Sequence, residues 1–108
     1  MGEKMYQELV SGLLLILPTQ AVRIVLYGST ARGMAKPESD IDIALFLTSP
    51  MDRGQEDQLS DLIADLDLKS DRVFSIVDIH WETFRKWLAV TPFYQNVEKE
   101  GIVLWKAA

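Results

Sequence analysis

Short apolar segments rich in β-branched residues alternate with amphipathic segments of helical periodicity along most of the chain, and this alternation limits the possible folds. Strands are predicted at Ala21–Tyr27, Asp40–Leu47 and Val73–His80, because each segment is short, apolar and β-branched. Strands that alternate with helices favour a sheet covered by helices. We therefore predict an α/β (α+β) fold, with one mixed β-sheet backed by helices.

The remaining elements complete the order α-β-α-β-α-β-α-α-β. A loop containing Pro37 is expected over residues 34–39, and Gly28–Gly33 is expected to form a tight turn that opens a brief helix. The other predicted elements are helices at Glu3–Leu17, Gln55–Leu66, Thr83–Val90 and Phe93–Glu100, and a short closing strand at Ile102–Trp105.

Composition limits the class of protein. With 108 residues, 48% of them hydrophobic, the chain is expected to form a single domain over residues 1–108. It has no cysteine and no signal-like start, which indicates a reducing cytoplasm. Its most apolar run, Leu13–Leu17, is far shorter than the roughly 20 residues that a membrane span needs.

The formal net charge of −5 disfavours direct tracking along DNA or RNA, because an acidic domain does not attract a polyanion. Nucleotides are not excluded, since a bound divalent cation can invert the local field. Some of the acidic residues are therefore candidate metal ligands.

Gly28 and Ser29 directly follow the first predicted strand. Glycine permits a sharp turn and a close backbone approach, and Ser29 can cap the helix that follows. Free N–H groups at a helix start, together with a serine hydroxyl, can hold a phosphate. An ordinary turn is the alternative interpretation of this pair.

Asp40 and Asp42 are two residues apart in the second predicted strand, so their carboxylates are expected on one face while Ile41 and Ile43 enter the core. Two like charges side by side repel, and a divalent cation that prefers oxygen ligands would offset the repulsion. A solvated strand entrance is the alternative.

Asp78 lies between Val77 and Ile79 in the third predicted strand, where an unpaired charge is costly. If this strand pairs beside the second, Asp78 is expected to complete a cluster of three acids with Asp40 and Asp42. Such a cluster beside a phosphate-holding turn has the parts that phosphoryl-type transfer needs.

The string GSTARGMAKPESDID, in which ten residues separate Ser29 from Asp40, resembles the DNA polymerase β nucleotidyltransferase superfamily. With the small size of the chain, it is similar to the minimal nucleotidyltransferase (MNT) branch. The resemblance implies that Gly28 and Ser29 hold the β- and γ-phosphates of ATP as the nucleotide donor. Arg32 is implied as a further phosphate contact, and a surface arginine closing a helix is the alternative.

The same resemblance implies two Mg²⁺ ions bound by Asp40 and Asp42. Asp78 would ligate the catalytic ion and help to deprotonate or orient the acceptor hydroxyl. No role in the chemistry is assigned to His80 or to Lys36.

The acceptor is not set by the fold. The minimal branch pairs with a HEPN-domain ribonuclease toxin as its antitoxin and places AMP on a toxin tyrosine, so the resemblance implies such a partner here. The acidic character agrees with docking on a basic partner. Two alternatives stay open: a small-molecule nucleotidyltransferase of the aminoglycoside-modifying kind, with a pocket built by homo-oligomerisation, or a non-catalytic toxin-binding module.

Overall fold

The structure, a computed structural model, describes residues 2–34, 36 and 39–108. Its elements follow the predicted order and confirm the predicted fold class. They are α1 (Gly2–Ile16), β1 (Ala21–Tyr27), α2 (Gly28–Ala31), β2 (Ile41–Leu47), α3 (Arg53–Ser70), β3 (Phe74–His80), α4 (Trp81–Trp87), α5 (Pro92–Glu100) and β4 (Ile102–Lys106).

The four strands form one mixed sheet in the order β3-β2-β1-β4. Strand β1 is antiparallel to both of its neighbours, β2 and β4, whereas β2 and β3 are parallel. A parallel pair requires a crossover connection, and α3 supplies it between β2 and β3. The sheet is therefore mixed because one of its three pairings is parallel and the other two are antiparallel.

Strand β2 lies between two hydrophobic clusters. Its odd-numbered residues pack with α1 and α3 in a cluster that includes Leu9, Leu13 and Leu66. Its even-numbered residues Ala44 and Phe46 enter a second cluster with Phe84 and Val97, from α4 and α5. Because both faces are covered, β2 is apolar throughout except at Asp42.

Helix α3 is longer than the predicted Gln55–Leu66, because capping extends it beyond its apolar stripe. The Asp52 carboxylate accepts a hydrogen bond from the Gln55 backbone N–H at 2.8 Å, and the Gln55 side chain accepts from the Asp52 N–H at 3.0 Å. At the other end Asp71 adopts a left-handed conformation, with φ 57°.

Other boundaries differ from prediction by one to three residues, and two of them concern the site and its surroundings. Strand β2 begins at Ile41, so Asp40 precedes it, and α4 occupies Trp81–Trp87 because it starts directly where β3 ends. The loop expected over residues 34–39 falls partly outside the described residues, and its Pro37 is one of those outside. None of the helices in the described ranges combines the length and the apolar character that crossing a bilayer requires.

Leu13 and Leu15 of α1 give a matched pair for the α1 side of the core, because their side chains are 0% and 85% exposed. We expect Leu13→Ala to lower the free energy of unfolding by about 2–5 kcal/mol through lost burial and a residual cavity. Leu15→Ala should change it by less than about 0.5 kcal/mol. Urea denaturation measures both, and equal effects would contradict the packing described for α1.

Candidate active site

Asp42 is the polar residue around which the site is built. It is the second residue of β2 and is half-buried, between Ile41 and Ile43, which are fully buried on the α1–α3 face. Side chains alternate along a strand, so the Asp42 carboxylate lies on the opposite face of the sheet. The prediction that the isoleucines enter the core while Asp42 faces away from them is therefore confirmed.

Gly28 brings the chain back against Asp42. Its φ of 76° lies in the left-handed region, where glycine is favoured. A Cβ built on Gly28 would overlap the Oδ2 atom of the Asp42 carboxylate. With glycine at position 28, the turn after β1 approaches this carboxylate more closely than a residue with a Cβ could in the same arrangement.

Ser29 lies in the first turn of α2. The residue at the N-cap position is Tyr27, which makes no side-chain capping hydrogen bond, so the prediction that Ser29 caps this helix is wrong. The Thr30 Oγ1 atom is buried without a hydrogen-bond partner among the residues that the structure describes. The first N–H groups of a helix have no partner within it, so the start of α2 offers donors close to Asp42.

Asp40 is held at the entrance to β2 by the start of β3. The carbonyl before it, that of Ser39, accepts a hydrogen bond from Arg72 Nη2 at 3.0 Å. The N–H after it, that of Ile41, donates to the Val73 carbonyl at 2.8 Å. These bonds fix the backbone on both sides of Asp40, which is itself exposed.

The two aspartates interact electrostatically. Burial raises the pKa of Asp42, the negative charge of Asp40 raises it further, and the positive charge of Arg32 opposes both. Arg32 also lies 3.7 Å from the Glu100 carboxylate, which joins α2 to α5. Paired carboxylate oxygens that repel each other are a donor set that suits a hard divalent cation.

Asp78 does not join the aspartate pair. Its register partner on β2 is Leu45, three residues beyond Asp42. It also shares its side of β3 with Phe74 and Ile76, which pack on the α1–α3 face. The expected three-acid cluster is therefore not formed by this residue, and no group of three His, Cys, Asp or Glu side chains within the described ranges could hold a metal ion.

Ser75 occupies the place on β3 that the sequence interpretation gave to Asp78. It is the register partner of Asp42 in the parallel pairing, and Tyr27 is the register partner of Asp42 on β1. Tyr27, Asp42 and Ser75 therefore form a row across three strands on one face. The strand was predicted correctly, but its register against β2 carries no local sequence signal, so the pairing of Asp42 with Ser75 could not be predicted.

Aromatic side chains border this row on the β1 side. The Tyr27 ring packs edge-on against Phe93 of α5, with 5.6 Å between the ring centroids. Burial raises the pKa of Tyr27, and the charge of Asp42 raises it further. Phe93 remains 39% exposed, so an apolar surface adjoins the carboxylates.

His80 lies at the far end of β3, where its ring nitrogens are 3.1 Å from Thr83 Oγ1 and 3.2 Å from the Thr48 carbonyl oxygen. Lys36 meets Ser39 through its backbone, its N–H donating to Ser39 Oγ at 3.0 Å. Neither contact involves the aspartates.

Comparison with known proteins places the chain in a family. The family described as polymerase beta, nucleotidyltransferase, matches residues 16–107. No curated protein matches the sequence.

Several solved structures share the fold. A crystal structure of a toxin–antitoxin with AMP-PNP contains a chain that is 24% identical, with a TM-score of 0.64 over 94% of this chain and 73% of the other. Tri-AMPylated Shewanella oneidensis HEPN toxin in complex with MNT antitoxin gives 22% identity and a TM-score of 0.60, over 99% and 74% of the two chains. The toxin–antitoxin MntA-HepT gives 22% and 0.56, over 95% and 71%.

Gly28→Ala tests the close approach, with Gly33→Ala as its control. Both glycines have positive φ, 76° and 71°, but a Cβ on Gly33 meets nothing within 4 Å. Both variants should be destabilised by about 1–2 kcal/mol by the left-handed backbone alone. Gly28→Ala should lose more in urea denaturation because it also displaces the Asp42 carboxylate, and equal losses would contradict the contact.

Asp42→Asn should raise the melting temperature at pH 7 in metal-free buffer. The folded state binds the Asp42 proton more tightly than the unfolded state, since the folded pKa is raised. Its contribution to stability is therefore complete below the ordinary carboxyl pKa and is lost as pH rises through the raised folded value. The advantage of the variant should shrink on acidification, and an advantage that grows at low pH would contradict this electrostatic description.

Proposed function

Because the chain belongs to the polymerase beta nucleotidyltransferase family, we propose that it is a Mg²⁺-dependent transferase that moves AMP from ATP to a hydroxyl of a partner protein. The observation that carries the proposal is the Asp42 carboxylate packed against the Gly28 turn, with Asp40 beside it. Carboxylates and a turn rich in free N–H groups are what a metal-bound triphosphate requires.

Asp40 and Asp42 would hold the metal ions, and their mutual repulsion in the free protein is what a bound cation would relieve. Bound Mg²⁺ supplies neutralisation of the charge on the triphosphate. The N–H groups of Gly28 and Ser29 at the start of α2 would bind phosphate oxygens, and the Ser29 hydroxyl would add one donor.

Arg32 would contact the phosphates from the far end of α2. Its charge already acts on Asp42, and its partner Glu100 lies at 3.7 Å across a surface where both side chains are partly exposed. A surface ion pair of this kind is weak and can be exchanged for a phosphate at little cost.

We propose a tyrosine of a HEPN-domain toxin as the acceptor, with this chain as the antitoxin. Two observations support this choice. The solved structures that share the fold include a toxin–antitoxin with AMP-PNP and a tri-AMPylated HEPN toxin in complex with MNT antitoxin. The net charge of −5 suits a basic partner.

One observation favours a second candidate, a non-catalytic module that neutralises a toxin by covering it. Asp78 faces away from the aspartate pair, so the described site offers two carboxylates rather than three. Such a site could bind a metal–nucleotide complex without activating an acceptor.

Incubation with labelled ATP, Mg²⁺ and a HEPN-domain protein separates these functions. Label on the HEPN protein, lost after substitution of its tyrosines, supports the proposal. Transfer only to aminoglycosides or other small hydroxyl compounds would indicate a small-molecule enzyme. Tight complex formation without label on either protein would indicate the non-catalytic module.

In this assay Asp40→Asn and Asp42→Asn should each lower the rate of transfer by more than about 100-fold, because each removes a metal ligand. Asp78→Asn is the matched control, since it neutralises an aspartate on the other face of the sheet, and it should keep the wild-type rate. Loss of activity in Asp78→Asn, with the thermal stability unchanged, would restore Asp78 to the site.

Ser29→Ala should weaken ATP binding by about threefold to tenfold, the effect of losing one hydrogen bond. Isothermal titration with AMP-PNP and Mg²⁺ measures the dissociation constant. An unchanged constant would remove the Ser29 hydroxyl from the phosphate site while leaving the backbone donors of α2 in it.

A further inference from the structure

Ser75 is the β3 residue beside Asp42, and three other residue pairs between β2 and β3 support this register. Ile41 opposite Phe74 lies in the α1–α3 cluster, and so does Ile43 opposite Ile76. Phe46 opposite Ile79 lies in the cluster on the other face. Paired residues of parallel strands share a face, so Asp42 and its partner Ser75 lie together on the α5 side.

The neighbours of this place limit what else can reach Asp42 along the sheet. Tyr27 flanks the carboxylate on the β1 side, and Ser75 flanks it on the β3 side. The next residue of β3 on the same face is Val77, which pairs with Ala44 and has no polar side-chain atom. Ser75 is also half-buried rather than fully exposed, so its hydroxyl is held near the sheet surface.

We propose that Ser75 is the third member of the metal and acceptor site, so that this chain uses two carboxylates and one hydroxyl. The inference rests on the proposed function, because it assigns a residue to the same site. Ser75 is a positioning residue: it is the register partner of Asp42 on the same face of the sheet, from where its hydroxyl can reach that carboxylate or a group bound by it.

A hydroxyl in this place has two chemical consequences. A neutral oxygen adds less to divalent-cation affinity than a carboxylate does, because affinity follows the charge of the ligands. It also leaves β3 without a carboxylate at the register position beside Asp42, since the residue there is Ser75. A carboxylate at position 75 should therefore increase metal affinity.

A single cysteine at position 75 tests directly whether this side chain and Asp42 can bind the same metal ion. The chain contains no cysteine, so Ser75→Cys introduces one thiol of nearly the same size as the serine hydroxyl. Thiolates favour soft cations, so this variant should gain Cd²⁺ affinity and show Cd²⁺–thiolate absorption in the ultraviolet. Adding Asp42→Asn should weaken Cd²⁺ binding by at least about tenfold, since the two side chains share the ion.

Asp78→Cys is the matched control, because it places a thiol on the same strand but on the other face. Its Cd²⁺ affinity should not depend on Asp42. The proposal is overturned if Asp78→Cys gains Asp42-dependent Cd²⁺ binding and Ser75→Cys does not, or if neither variant does.

A second pair of variants uses Mn²⁺ and calorimetry. Ser75→Asp should bind Mn²⁺ at least about tenfold more tightly than the wild type, whereas the uncharged Ser75→Asn should not. If Ser75→Asp binds Mn²⁺ no more tightly than the wild type while Asp42→Asn loses Mn²⁺ binding, the metal site stands but the role of Ser75 is overturned. If Asp42→Asn also binds Mn²⁺ like the wild type, the proposed metal site itself is overturned.

Discussion

The close approach of the Gly28 turn to the Asp42 carboxylate is the contact on which the rest of the site depends. Strand β2 packs between two apolar clusters, so a charged side chain within it is tolerated only where one cluster ends. Asp42 lies at such a place, beside the turn that follows β1. Glycine at position 28 lets backbone N–H groups come near the carboxylate without a Cβ between them. The Asp42 carboxylate and the start of α2 are therefore direct neighbours.

The backbone around Asp40 and Asp42 is held in place by the ends of the neighbouring strands. The pairing of Tyr27 with Asp42 ends β1 at the site, and α2 begins at the next residue. Arg72 and Val73, at the entrance to β3, hold the backbone on both sides of Asp40. Three strands therefore converge on the two aspartates, where burial and then the charge of Asp40 raise the pKa of Asp42.

The element order and the aspartate pair could be predicted from the sequence, because both depend on local patterns. Alternating residues place Ile41 and Asp42 on opposite faces whatever the strand pairs with. The face and the neighbours of Asp78 depend on the register of β3 against β2, which no local pattern encodes. A shift of the register by one residue moves every side chain of a strand to the other face of the sheet. The presence of Asp78 in an apolar strand therefore does not reveal which face its side chain occupies.

Crystals of the protein with AMP-PNP and Mn²⁺, analysed by the anomalous scattering of manganese, test the central claim most directly. The expected result is manganese between the Asp40 and Asp42 carboxylates, phosphate oxygens at the Gly28 and Ser29 N–H groups, and Ser75 beside Asp42. Manganese bound at Asp78, or nucleotide bound away from the Gly28 turn, would contradict it.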